Sequence, residues 1–539
     1  MSELHFPWLE LAILLPLLGA GVVGRMESPE RARNWSLAVL FISLLGTLGA
    51  WFDFVSLQTE LAHDRWDGLS WLTGRSVLAM DQFSAPMLAL VSLLGLLTVL
   101  GTLKTKIKRV SFGGILLNQA LGLAIFSAHE PWLLIGLLSL SVLTPLFELV
   151  QRGKPTGVYL THLGAFVLFL GAGWWLVSRN PEGAWWHYCG GVLLVVAVLI
   201  RSGVAPLHCW MTDLFEHAPF GSSILFVTPM AGAYAAVRLV VPEAPDWSLK
   251  LLVWAPMLTS LYAAGMALVQ QELRRFFVYL FLSHASLVLV GLETATTEAL
   301  AGGLSVWFAT SLSLTGFGLT LRSVESRLGR ISLADYHGLF EHMPNLAILC
   351  LVTGLASVGF PGTIGFVATE LLVDGVIHRY PWTGVAIVLA AALNGIAVLK
   401  VYFRLFTGPR HSTSICLQAR PAERIAVLLL VLLMIGGGLY PQPFLESRFQ
   451  AAEHLLGERS GSQSQPMHHE VPDGEAEVLE RTGQEDSQRE LKREFQREVD
   501  TLKPEQILSA EGFEMKWSPS GGSDKGEGGP RQRDALDDH

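Results

Sequence analysis

Seven ionisable side chains stand inside or beside long apolar stretches of this chain: Glu148, Arg201, His208, His284, Glu370, Asp374 and Lys400. A charge in hydrocarbon is costly, so such residues usually face a protein interior and mark a route for ions or protons. Histidine titrates in the range a proton relay needs. Lysine releases its proton readily when desolvated, whereas arginine keeps its own. Glu370 and Asp374 are four residues apart and share one helix face. Lys400 follows Asn394 in the second half of a long apolar run. For His284 a hydrogen-bonded core role stands beside the relay role, and for Glu148 an interfacial position stands beside a buried one. Arg238 and Arg274, near helix ends, read as snorkelling side chains. The four cysteines, Cys189, Cys209, Cys350 and Cys416, lie far apart with no CxxC pair, so no metal site, iron–sulfur motif or disulfide framework is read from them. No set of catalytic residues is assigned.

These side chains need a scaffold, and composition says which. Of 539 residues, 51% are hydrophobic and 16% charged; soluble domains carry nearer a quarter charged. Apolar runs close to the length that crosses a bilayer recur along the chain. They predict an all-α polytopic membrane protein with about 14 transmembrane helices: 7–25, 35–54, 84–103, 110–128, 131–150, 157–177, 186–206, 219–241, 249–270, 276–293, 299–321, 345–378, 381–406 and 423–440. The twelfth is too long for one straight span. Gly359, Pro361 and Gly362 sit at its middle and predict a broken helix, tolerated only where protein lines it.

Residues 1–445 are read as the transmembrane domain and 446–539 as a hydrophilic acidic tail, partly helical or disordered. Residues 457–465 read as a linker, 475–502 as a solvated helix and 518–539 as disordered. From residue 451 onward 21 acids face 11 bases, so the tail holds essentially all of the net charge of −9. That balance argues against nucleic acid as a partner. Before the first helix there is no charged n-region, which points to a retained span rather than a secretory signal. Lys and Arg then orient the chain. With the N-terminus outside, about 18 fall in inner loops and about six in outer loops, among them Arg75 and Arg379 outside and Arg410 inside. An even helix count places both termini on the outer side of what is read as a bacterial inner membrane.

Several motifs resemble the antiporter-like membrane subunits of respiratory complex I, the NADH:quinone oxidoreductase chain M family, related to Mrp antiporters. Met80-Asp-Gln-Phe-Ser-Ala-Pro-Met87 is similar to the opening of their third helix. Pro206-Leu-His-Cys-Trp210 with Asp213 and Ala218-Pro219 resembles their PLHxWLPDAHxxAP loop. Gln271-Glu-Leu-Arg-Arg275 with Ser283-His284, and Gly338-Leu339, Met343-Pro344 and Leu355–Thr363, resemble two further segments. Arg404–Gly408 and Leu439-Tyr-Pro-Gln-Pro443 match the closing helices of chain M. The resemblance implies a membrane-arm subunit that takes part in proton translocation and binds no cofactor itself. NADH, FMN, iron–sulfur clusters and quinone then belong to partner subunits.

The family's charge row is thinned here. Its helix-five glutamate falls at Leu140, its helix-seven lysine at Arg201, its helix-eight lysine at Met230, its helix-eleven base near Thr310, and its helix-twelve glutamate at Thr369, beside Glu370. In the loop, Phe215 and His217 replace a His and a Glu. Three functions follow from this pattern. One is a divergent conductor of protons or other cations, rerouted through Glu148, Arg201, His208, His284, Glu370 and Lys400, with Asp374 beside them. A second is a non-conducting scaffold among other membrane-arm subunits. The third is a subunit of a multisubunit cation/proton antiporter or an inorganic-carbon uptake complex.

Overall fold

The computed structural model describes residues 2–463, apart from 66–67, 69–73, 75, 182, 294–295, 379 and 410–416. Arg75, Arg379, Arg410, Cys416 and the tail segments from 464 onward lie outside the described residues.

Fourteen apolar helical segments match the fourteen expected spans one for one: nine long enough to cross a bilayer alone and five shorter. In chain order the helices are α1 (Trp8–Gly24), α2 (Pro29–Leu57), α3 (Ser84–Leu100), α4 (Phe112–Ser127), α5 (Pro131–Ser141), α6 (Leu143–Gln151) and α7 (Gly157–Arg179). They continue as α8 (Trp185–Arg201), α9 (Cys209–His217), α10 (Phe220–Val227), α11 (Ala231–Ala235, extended by a π turn over Ala236–Val240), α12 (Asp246–Val269) and α13 (Leu273–Glu293). The last are α14 (Thr297–Leu328), α15 (Pro344–Ser357), α16 (Ile364–Ile377), α17 (Pro381–Phe406), α18 (Pro421–Leu439) and α19 (Gln442–Gln463). Three short strands, β1 (Ser2–Leu4), β2 (Leu61–Asp64) and β3 (Met80–Asp81), form a small sheet, with β1 parallel and β3 antiparallel to β2.

Local chemistry sets the helix starts. Pro29, Pro131, Pro344, Pro381 and Pro421 stand at first-turn positions, where a missing N–H costs nothing. The Glu130 carboxylate accepts the Leu133 N–H at 2.6 Å, and Ser111 Oγ accepts from Gly114 N at 3.2 Å.

Burial sorts the helices into a centre and a rim. In the most apolar stretches of α10–α11, α13 and α14, 94% of residues are buried, against 28% in α7. Lipid tails are as apolar as leucine, so the centre is held by close packing of small residues. Gly302 of α14 faces the Leu372 backbone of α16, and Gly303 faces Gly291 of α13, with no space for a Cβ at either. This packing fixes the broken twelfth helix against the core. The break falls where expected: α15 ends at Ser357, and Gly359 (φ 80°) and Gly362 (φ 87°) take left-handed conformations before α16.

Two further breaks were not expected. The seventh helix does not end at 206; it stops at Arg201 and resumes as α9. The eighth splits between α10 and α11 at Met230, which takes φ 53°. The boundary at 445 is also corrected. α19 runs through it to Gln463 and buries Arg448, Ala451 and Ala452, so the packed unit reaches 463.

Arg238 and Arg274 do not snorkel. Arg238 pairs with Asp81 at 2.6 Å, and Arg274 pairs with Glu325 at 2.5 Å while donating to the Phe215 and Ala218 carbonyls. Arg274 thus ties α9 to α13 and α14.

Candidate functional site

The break in the seventh helix places Arg201 at the end of α8, 4% exposed. Its guanidinium carbon lies 4.2 Å from the Phe226 ring centroid and 5.6 Å from that of Trp210. Trp210 Nε1 donates to the Ile200 carbonyl at 2.8 Å and so locks α9 against the end of α8. The Ala205 N–H, beside Pro206, donates to Thr259 Oγ1 at 3.0 Å and fixes the connecting loop to α12. The loop residue Asp213 pairs with His217 at 3.2 Å on the exposed side of α9.

Glu148, on α6, is largely buried and pairs with Arg152 at 3.1 Å. It lines a cavity of about 590 Å³ that begins at Gly24, Ser111 and Gln151, at the basic end of the molecule. A second cavity of about 30 Å³ holds Arg201 with Gln119 and Ser141. Asn118, Leu225 and Phe226 line both, so Glu148 and Arg201 stand at the two ends of one interior passage. Its polar wall is Asn118, which donates to the Leu225 carbonyl at 3.3 Å and lies 3.5 Å from Thr144 Oγ1. Past Arg201, a cavity of about 20 Å³ reaches Met230, Phe281 and Ala285.

Ala285 adjoins His284 on α13, and His284 lines another cavity of about 20 Å³, with Thr310, Ser357, Thr369 and Asn394. The volume suits a single water, which needs polar partners. His284 Nδ1 lies 2.8 Å from the Leu280 carbonyl. That contact makes Nδ1 the protonated nitrogen of the neutral ring. Asn394 Nδ2 donates to Ser283 Oγ at 2.8 Å, and its buried Oδ1 has no hydrogen-bond partner. Thr310 and Thr369, at two of the thinned charge positions, therefore meet His284 and Asn394 across three helix interfaces.

Three of the predicted residues stand elsewhere. Glu370 is exposed, and Asp374 is 72% exposed with His378 4.0 Å away; both lie on the exterior of α16 and line no interior cavity. Lys400 donates to the Leu268 carbonyl at 2.5 Å, capping the end of α12. His208 sits between α8 and α9 with its ring 5.6 Å from Tyr262 and 5.9 Å from Tyr279. Leu140 faces outward, 47% exposed, so the helix-five position contributes nothing to the interior. Asn118, Gln119 and Ser283 were missed. Two adjacent amides in the apolar fourth helix were the available signal.

The family described as NADH:quinone oxidoreductase/Mrp antiporter, transmembrane, matches residues 158–394. NADH-quinone oxidoreductase subunit M of Pseudomonas aeruginosa is 26% identical over 495 residues, covering 82% of this chain and 95% of that one. F(420)H(2) dehydrogenase subunit M of Methanosarcina mazei is 24% identical over 496 residues, covering 84% and 99%. Among solved structures, a chain of respiratory complex I from Thermus thermophilus matches with TM-score 0.71 and 22% identity, over 84% of this chain and 99% of that one. A chain of the Mrp complex from Dietzia matches with TM-score 0.74 and 18% identity, over 85% and 99%. These structural matches carry the fold.

Proposed function

Since the chain is an antiporter-like membrane subunit of the complex I type, we propose that it serves in the membrane arm of a complex-I-like assembly and takes part in proton translocation. The observation that carries this reading is the passage from Glu148 past Asn118 to Arg201, in a chain whose helix-five charge position is an outward leucine. Glu148 takes the place of that lost acid from the same helix, two turns further along. Protons reach it through the wide cavity at the basic face. Arg201 keeps its charge, so it biases where a proton rests and does not hand one on. In the second half, His284 is the group able to take and release a proton, with Thr310, Thr369 and Asn394 arranging water beside it. His208, between the two halves, is a secondary candidate.

The reading extends to surroundings. Electron transfer, with NADH, FMN, iron–sulfur clusters and quinone, belongs to partner subunits, and this chain transmits the response. The bias of basic residues supports a bacterial inner membrane with both termini outside. The residues after 463 form a hydrophilic extension beyond the bilayer. A scaffold role is the second reading, favoured by Leu140, Met230, Thr310 and Thr369 at positions that carry charge in the family. The two separate in reconstituted vesicles holding the whole assembly. Asn118→Leu, which closes the passage with an apolar side chain, lowers proton pumping per electron transferred on the conducting reading. The scaffold reading leaves that ratio unchanged.

A further inference from the structure

We propose that the cavity beside Arg201, between α4, α5, α8 and α10, binds one small inorganic anion of the chloride class. The guanidinium is buried, and among the described residues it makes no ion pair and no hydrogen bond; its Nε is fully enclosed without an acceptor. The titratable group facing it is the Tyr159 phenol, which donates to the Val142 carbonyl at 2.8 Å and is neutral. The acid that the family places on helix five is Leu140, turned outward. Glu148 is engaged at the far end of the passage by Arg152.

An arginine does not shed its proton, so a full positive charge stands uncompensated in the interior. That costs several kcal/mol. The faces of Phe226 and Trp210 offset only about 2 kcal/mol. What the site lacks is a counter-charge, and the adjoining cavity has the size for one. Its volume, about 30 Å³, holds a water or a single halide-sized ion. Its wall adds neutral donors: Asn118 has a second amide N–H beyond the one given to Leu225, and Gln119 and Ser141 line the same space. The wide cavity at Glu148 supplies the way in, with that carboxylate neutralised by Arg152. The assignment stands whether or not the chain conducts protons.

The test uses the full-length protein. Gluconate is exchanged for chloride at constant ionic strength while thermal unfolding is followed. The wild type should show a saturable rise in midpoint of roughly 2–4 °C. Arg201→Met should show no chloride response. Bromide-soaked crystals of the wild type should give an anomalous peak in the cavity, which decides the matter even if Arg201→Met does not fold. A midpoint indifferent to chloride, an equal response in Arg201→Met, water alone in the cavity, or a neighbouring subunit's carboxylate against Arg201 would each overturn the proposal.

Discussion

The Arg238 guanidinium and the Asp81 carboxylate meet at 2.6 Å, joining the end of the eighth helix to the strand that opens the third. Arg238 Nε also donates to the Tyr234 hydroxyl at 3.3 Å, and the Tyr234 ring stacks on Phe83 with centroids 5.5 Å apart. Asp81 in turn accepts from Ser84 N at 2.7 Å. Removing one partner of such a buried pair strands the other charge. Asp81→Asn should therefore destabilise the protein by about 3–5 kcal/mol. Thermal unfolding in detergent measures this, and adding Arg238→Met should recover most of the loss. A single variant as stable as wild type would mean the pair is solvated.

Lys400 is a helix cap, not a carrier. Lys400→Met should cost about 0.3–1 kcal/mol through the end of α12 and leave proton pumping as it was. A pumping defect without a stability change would put Lys400 back on the ion path.

Glu370 faces outward, so Glu370→Gln should leave transport through the interior of this chain intact. The vesicle assay reports it as an unchanged ratio of protons to electrons. A fall in that ratio with assembly intact would contradict the outward placement.

Asp64 in β2 is 3% exposed, and burial pushes its carboxyl up from 3.8 to about 6, against the Glu10 N–H that it accepts at 2.9 Å. The folded state thus holds a proton that the unfolded chain releases. The penalty is full above about pH 6 and is relieved as pH falls from 6 toward 3.8, a change of up to about 3 kcal/mol. Hydrogen exchange of the β1–β2 amides should slow across that window, and Asp64→Asn should flatten the profile. Protection that weakens as the pH falls would refute the shift.

The span count and the break at Gly359 and Gly362 were readable because apolar length and glycine chemistry are local. The directions of Glu370 and Glu148 were not. Spans that are apolar all round give no periodic signal for which side meets protein. Glu370 lies one residue from Thr369, about 100° around the helix, and that step separates the His284 cavity from the exterior. The break after Arg201 was hidden for a related reason, since Trp210 and Thr259 hold it from elsewhere in the chain. Arg201 itself was legible as a buried charge, but its lack of a partner depends on how five helices converge.

Proton uptake at Glu148 is the claim on which the functional account turns. The direct measurement is the number of protons moved per electron pair by the complete assembly in sealed vesicles, for wild type and Glu148→Gln. The account predicts a lower number for the variant, with assembly and quinone reduction retained. An unchanged number would contradict it and leave this chain a scaffold.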